Sequence, residues 1–368
     1  MEKEDDSRKL KQQAQQVFFA LLNDALWRHQ RPVPQQLSAK LLFDVLALSS
    51  QQAVAGLVAE ALVRRKVQIP EDDYFEVLAV LSHVRSAGEH LNKQLSALVS
   101  LMDERAISYR VVKGAVVSAC YPSPLLRQAG DIDFYCDAHN FPKAISAVTA
   151  SWGVTPEQGD SRQHVHFEYN GLTIEGHFSL FAFHCCKKDR YWQQLLDSDS
   201  GTMVSVGDKA VSTLSPTLHV LYVFLHLYHH LMALGVGLRQ FCDWALLLHS
   251  YADAIDHEAL QQHLCQLGVQ RAYRACGSLL IDRLGLPPAE LYCQPTSGDR
   301  RYGRRVLSVV LYRGNMGVYH KQGGFSGWLH RLESATIKLA HFCKFAPLAP
   351  AFSCRWLMHE FSRTMFKR

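Results

Sequence analysis

Asn170-Gly171 separates two runs of alternating polar and apolar residues, 164–169 and 172–178. Asn-Gly is the pair that best accepts positive φ at both centres of a two-residue turn, the geometry that joins twisted antiparallel strands. The chain therefore contains a hairpin, and its alternation assigns faces. Thr173, Glu175 and His177 share one side, while Leu172, Ile174, Gly176 and Phe178 share the other. Upstream, residues 108–112 (SYRVV) and 131–136 (DIDFYC) also alternate as strands. Lys113-Gly114 breaks the first, 115–121 suits a short helix, and 141–152 has the spacing of an amphipathic helix. Strand, helix, strand, helix and hairpin make a compact module of roughly 75 residues, too small for a full doubly wound domain.

Helical periodicity takes over on both sides. Phe18, Phe19, Leu21, Leu22, Ala25 and Leu26 recur at helical spacing, as do Leu41, Leu42, Val45 and Leu46. Pro70 followed by Glu71, Asp72 and Asp73 marks a helix start, with acids against the positive end of the dipole. Beyond residue 215 the pattern predicts helices over 217–234, 238–251, 257–267 and 271–284, a polar basic surface loop over 299–305, and amphipathic basic segments over 328–345 and 351–368. The expected fold is α+β: a mixed-sheet core over 106–214 between a helical region, 1–105, and a second one, 215–368.

Of the 368 residues, 48% are hydrophobic and 20% charged, enough to bury a core without staples. A net charge of +5 suits a small anionic substrate and falls short of a dedicated nucleic-acid-binding face. Ten cysteines include no CxxC pair, which excludes zinc knuckles and a secreted disulfide framework. Reduced thiols and a highly charged start without an apolar stretch point to a cytoplasmic chain. Residues 210–238 lack Lys, Arg, Asp and Glu. They carry His219, Tyr222, His226, Tyr228, His229 and His230, polar groups that are costly in hydrocarbon, so a buried helix is expected and no transmembrane segment.

Asp131 and Asp133, at i and i+2 of a strand, project from one face. Adjacent carboxylates repel unless a cation sits between them. Clamped divalent ions of this kind activate an attacking oxygen and stabilise a leaving pyrophosphate, and Mg2+ takes oxygen ligands shared with substrate phosphates. Alone, such a pair is most often a solvated strand face. Glu175, from a neighbouring strand, would complete a carboxylate triad, or it is a plain exposed strand residue. Lys113-Gly114, between a strand and a short helix, offers backbone N–H groups and a point charge to a phosphate, or is simply a tight turn.

Lys113 to Tyr135, KGAVVSACYPSPLLRQAGDIDFY, resembles the signature of the uncharacterised nucleotidyltransferase family in the DNA polymerase beta superfamily: Lys-Gly, Tyr-Pro, an Arg, then Gly-Asp-Ile-Asp. IEGHF at 174–178 resembles that family's later Glu-x-His strand, and GVGLRQFCDWALLL at 235–248 its Gly-Leu-Arg…Asp helix. The resemblance spans about 107 to 251, with three motifs in order. It implies a minimal nucleotidyltransferase core with helices closing one side of a cleft. It further implies metal ligation by Asp131, Asp133 and Glu175, which would also be the catalytic residues, with Mg2+, two ions, or Mn2+. Nucleotide contacts are implied at Lys113, Gly114, Arg127, His177 and Arg239. The donor would be an NTP such as ATP, and the acceptor hydroxyl is left open among a small molecule, a sugar, a protein or an RNA end. The chain has Gly114-Ala115 after a lysine where the wider superfamily places Gly-Gly or Gly-Ser. The competing readings are an inactive nucleotide- or sugar-phosphate-binding module and a helical interaction scaffold.

Other signals have plainer readings. His226, His229 and His230 are expected as core or cleft histidines rather than a zinc site. His164, His166 and Glu168 share a strand face. Arg239 and Asp243, one helical turn apart, are positioned to pair. The basic end with Arg355, Arg363, Lys367 and Arg368 is a solvated helix face or a contact for an anionic partner.

Overall fold

A computed structural model of the chain describes residues 2–28, 31–128, 130–158, 164–233, 235–315, 336 and 339–366, with side chains from residue 9 to 358. Most of the expected segment 328–345 lies outside these residues, as do Lys367, Arg368 and the Arg363 side chain.

Four helices open the chain: α1(Glu2–Trp27), α2(Ala39–Gln51), α3(Ala55–Arg64) and α4(Glu71–Glu104). Ser38 caps α2 by accepting from the Leu41 N–H at 3.3 Å. Helix α4 starts behind Pro70 with Glu71, Asp72 and Asp73 in its first turn, as the sequence predicts. The module follows as β1(Arg110–Val112), α5(Gly114–Val117), β2(Ile132–Tyr135), α6(Phe141–Trp152), β3(Glu157–Gln158), β4(His164–Tyr169) and β5(Leu172–His177). A short 3-10 turn, Ser118–Cys120, extends α5.

The five strands form one sheet in the order β1-β2-β5-β4-β3. Strands β2 and β5 run parallel, and the other pairs are antiparallel. At the β4–β5 turn Asn170 has φ 50° and Gly171 φ 77°, the double positive φ that Asn-Gly was read to supply. His90 and Gln94 of α4 hold that turn, contacting the Asn170 carbonyl at 2.8 Å and its amide at 3.1 Å.

The alternation sorts the sheet into a dry face and a polar one. Val111, Ile132, Phe134, Phe167 and Ile174 pack against Leu91, Leu95, Leu98 and Met102 of α4 and Ala144 and Val148 of α6. The other face carries Asp133, Glu175 and His177. Helix α7(Cys186–Asp197) and a two-stranded ribbon, β6(Thr202–Val206) with β7(Lys209–Thr213), complete this part, and none of the three was read from the sequence.

The later helices are α8(Pro216–Met232), α9(Leu238–Ser250), α10(His257–Leu267), α11(Gln270–Leu279), α12(Ser297–Arg313) and α13(Pro350–Phe366). The expected surface loop at 299–305 is a correction: it lies inside α12. Thr296 and Asp299 form a capping box that starts the helix, and buried Asp299 accepts from Arg274 at 2.8 Å. The basic residues therefore lie on the outside of a helix whose Gly303, Val306 and Val310 are buried. Helices α1 to α3 share one core with α8 to α12, joined by Asn23 donating to the Arg283 carbonyl at 2.8 Å and Gln52 to that of Val310 at 3.1 Å. No helix among the described residues is long and apolar enough to cross a membrane, and the ten cysteines are all free.

His219 on α8 is fully buried, and neither ring nitrogen has a partner among the described residues. Burial pushes its pKa from the ordinary 6.5 down to about 4. Its folded pKa lies below its unfolded one, so the stability it confers is complete above pH 6.5 and is lost as pH falls toward 4. The loss is on the order of 3 kcal/mol. Urea unfolding at pH 8 and pH 5 is expected to show a smaller drop in His219→Leu than in the wild type; equal drops would assign the pH dependence elsewhere.

Candidate active site

The site is built by register. In the parallel pair, Asp133 lies opposite Glu175 and Tyr135 opposite His177. On the other side of β2, Val112 pairs with Asp133, so the chain leaves β1 at Lys113 beside the same carboxylate. Asp131 precedes β2 on the same face. Ligand oxygens of Asp131, Asp133 and Glu175 all lie within 4.8 Å of one another. They grade inward: Asp131 is exposed, Glu175 half-buried and Asp133 buried at 1%.

Two basic side chains hold the buried acid. Lys113 Nζ is 2.6 Å from Asp133 Oδ1, and His177 Nε2 is 2.8 Å from the same oxygen and 3.3 Å from Glu175 Oε2. Burial would raise the Asp133 pKa, but Lys113 and His177 outweigh it and hold the group below the usual carboxylate value. Glu175 is lowered too, burial being overcome by His177 and Lys113. Conversely, burial pulls Lys113 and His177 down while the carboxylates hold both above their ordinary values. Asp133 Oδ2 is buried and has no partner among the described residues. An orphaned carboxylate oxygen inside a triad of acids fits a divalent cation, which such oxygens prefer as hard ligands.

Lys113 adopts φ 58° and ψ −135°, an uncommon conformation for a side-chain-bearing residue and the kind of local strain concentrated at functional sites. Gly114 does not have positive φ; its missing side chain makes room instead. A Cβ there would lie 2.5 Å from Arg127 Nη2.

Arg127 is turned inward, which changes its expected role. It is buried at 8% and grips both oxygens of Asp243, Nε to Oδ1 at 2.8 Å and Nη2 to Oδ2 at 2.9 Å. Tyr121 donates to Asp243 Oδ1 at 2.6 Å. The signature residues Tyr121, Arg127 and Asp243 thus lock the segment after the Lys-Gly turn to α9. Asp243 takes Arg127 in place of the expected Arg239. Arg239 Nη1 and Arg127 Nη1 instead share the Gln128 carbonyl, at 3.1 and 3.3 Å, and fix the loop leading into Asp131. Arg239 Nε is buried without a partner among the described residues.

The facing wall is α8. Tyr222, His226 and His230 follow at i, i+4 and i+8, with the two imidazoles 4.4 Å apart by ring centroid. Lys113 lies near enough to perturb all three. Burial pushes His230 down to about 3 and His226 well below its ordinary value, so both are neutral cleft histidines. Their spacing was visible in the sequence; that they confront the acids was not.

Residues 43–285 match the family described as uncharacterised nucleotidyltransferase, about two thirds of the chain. The chain belongs to this family. All three motifs that carried the resemblance fall within the match. No curated protein is significantly similar to this nucleotidyltransferase. A solved structure, an antigenic nucleotidyltransferase-like protein from Paracoccidioides brasiliensis, is similar at a TM-score of 0.36 and 15% identity, over 58% of this chain and 97% of that one. A superposition that loose carries no argument about the site.

Proposed function

We propose that this nucleotidyltransferase moves a nucleoside monophosphate from a nucleoside triphosphate to an acceptor hydroxyl, releasing pyrophosphate. The reading rests on the convergence of Asp131, Asp133 and Glu175 around a buried, unpartnered oxygen. These three would hold Mg2+ or Mn2+, two ions in the usual arrangement, which when bound supply charge neutralisation at the attacking and leaving oxygens. The remaining work falls to the chain. His177 fixes the orientation of Asp133, and Lys113 stands beside the acids with an ammonium for which a phosphate is the alternative partner. Arg239, with its spare Nε–H, is the second phosphate contact. Gly114 and Arg127 act indirectly, by keeping the Lys113 turn and the Asp131 loop in place, so catalysis comes from positioning and preorganised charge. The acceptor is a hydroxyl of a small molecule, a sugar, a protein or an RNA end.

The experiment is pyrophosphate release from labelled ATP, CTP, GTP and UTP with Mg2+ across an acceptor panel. Chelation should stop it, and Asp131→Asn or Glu175→Gln should slow it by roughly 100-fold or more. Nucleotide binding with no pyrophosphate release under any condition would replace transfer with a binding module.

A further inference from the structure

A second cluster adjoins the acids. His164, Glu175 and His177 also offer ligand atoms within 4.8 Å of one another. They meet because His164 and His177 are directly opposed across β4 and β5, and Glu175 precedes His177 by two residues on the same face. The two imidazole centroids are 5.0 Å apart.

We propose that His164, Glu175 and His177 form a binding site for an imidazole-preferring divalent transition metal, separate from the all-oxygen site and joined to it through Glu175. Two imidazoles and one carboxylate are a ligand set of open zinc sites, which keep a fourth position for water or substrate. Mg2+ favours oxygen donors, so the two clusters discriminate by donor chemistry. The spacing agrees: Glu175 Oε2 and His177 Nε2 are 3.3 Å apart, against about 3.4 Å for neighbouring ligands of a tetrahedral ion with bonds near 2.1 Å. Asp133 retains Lys113 when His177 turns to the ion. His164 is half-buried, and an ion bound there displaces any proton that the two rings carry. His166, on the same face opposite Glu175, lies 3.3 Å from Glu157 and falls outside the cluster.

The test is Zn2+ titration of the full chain by calorimetry without nucleotide. The expected result is one Zn2+ whose affinity falls at least tenfold in His164→Ala and is unchanged in His166→Ala and Asp131→Asn. Exposed thiols such as Cys186 and Cys265 also attract zinc, so the Co2+ absorption spectrum provides a second readout. Nitrogen and oxygen ligation without a thiolate charge-transfer band, lost in His164→Ala, supports the site. If His164→Ala unfolds, His164→Gln gives the same comparison with a similar volume. Equal zinc affinity in the wild type and the folded His164 variant, or thiolate-dominated cobalt ligation, overturns it. Because nucleotide is absent, zinc binding stands even if transfer fails, and Mg2+-dependent transfer with zinc binding indifferent to His164 sinks this site alone.

Discussion

Asp133→Ala is expected to abolish pyrophosphate release and to destabilise the fold by roughly 3–5 kcal/mol, two effects with separate causes. The first follows from removing the deepest member of the carboxylate triad. The second follows from what the carboxylate neutralises. Lys113 lies against Asp133 at 2.6 Å with only 14% of its side chain exposed, so truncation strands an ammonium in a poorly hydrated place. Glu175, nearby, compensates in part and moves the expected loss toward the lower end of the range. Replacing Asp133 together with Lys113, as in Lys113→Met with Asp133→Leu, should recover much of the stability and none of the turnover, since exchanging a buried ion pair for apolar groups is often neutral and His177 keeps Glu175. Urea denaturation and the pyrophosphate assay on the two variants and the wild type check this. A fully stable Asp133→Ala with wild-type turnover would contradict both the burial and the proposed chemistry.

Asp243→Ala is expected to cost a similar amount, roughly 3–5 kcal/mol, and to impair turnover from a distance. The carboxylate receives Arg127 through two nitrogens and Tyr121 through its hydroxyl, and all three groups are buried. Its removal leaves a guanidinium and a phenol without a shared acceptor, and the guanidinium is what packs over Gly114 and steadies the Gln128 carbonyl. The Lys113 turn and the approach to Asp131 should loosen together. A double-mutant cycle isolates the contact. Gly114→Ala should cost about 1–3 kcal/mol in the wild type, because its Cβ meets a side chain that Asp243 holds still, and much less in Arg127→Ala. Additive costs would show that Arg127 is not what Gly114 accommodates.

Legibility in the sequence followed the range over which each signal acts. The Asn170-Gly171 turn and the helix Phe141–Trp152 depend on neighbours within a few residues, and both match the reading. The face shared by Asp131 and Asp133 follows from period two alone. That Glu175 lands opposite Asp133 depended on a parallel pairing across more than 40 residues, which alternation cannot specify and the family resemblance supplied. The Arg127–Asp243 pair, 116 residues apart, was not legible, because Arg239 is the nearer cation in sequence. The misread stretch 299–305 shows the opposite error: a run of charge suggested a loop, while the cap at Thr296 and the apolar spacing from Gly303 to Val310 define a helix. The ribbon of β6 and β7 is five residues a side, with mixed burial that gives periodicity little to work with.

The shared interior of the first and last helices limits how the molecule can be divided. Phe18, Leu21 and Leu22 of α1 are fully buried although they precede the family match at residue 43. A recombinant fragment trimmed to the recognised span would leave the partners of those side chains wet, and insolubility of such a fragment would reflect a missing wall of the building rather than a defect in its catalytic room.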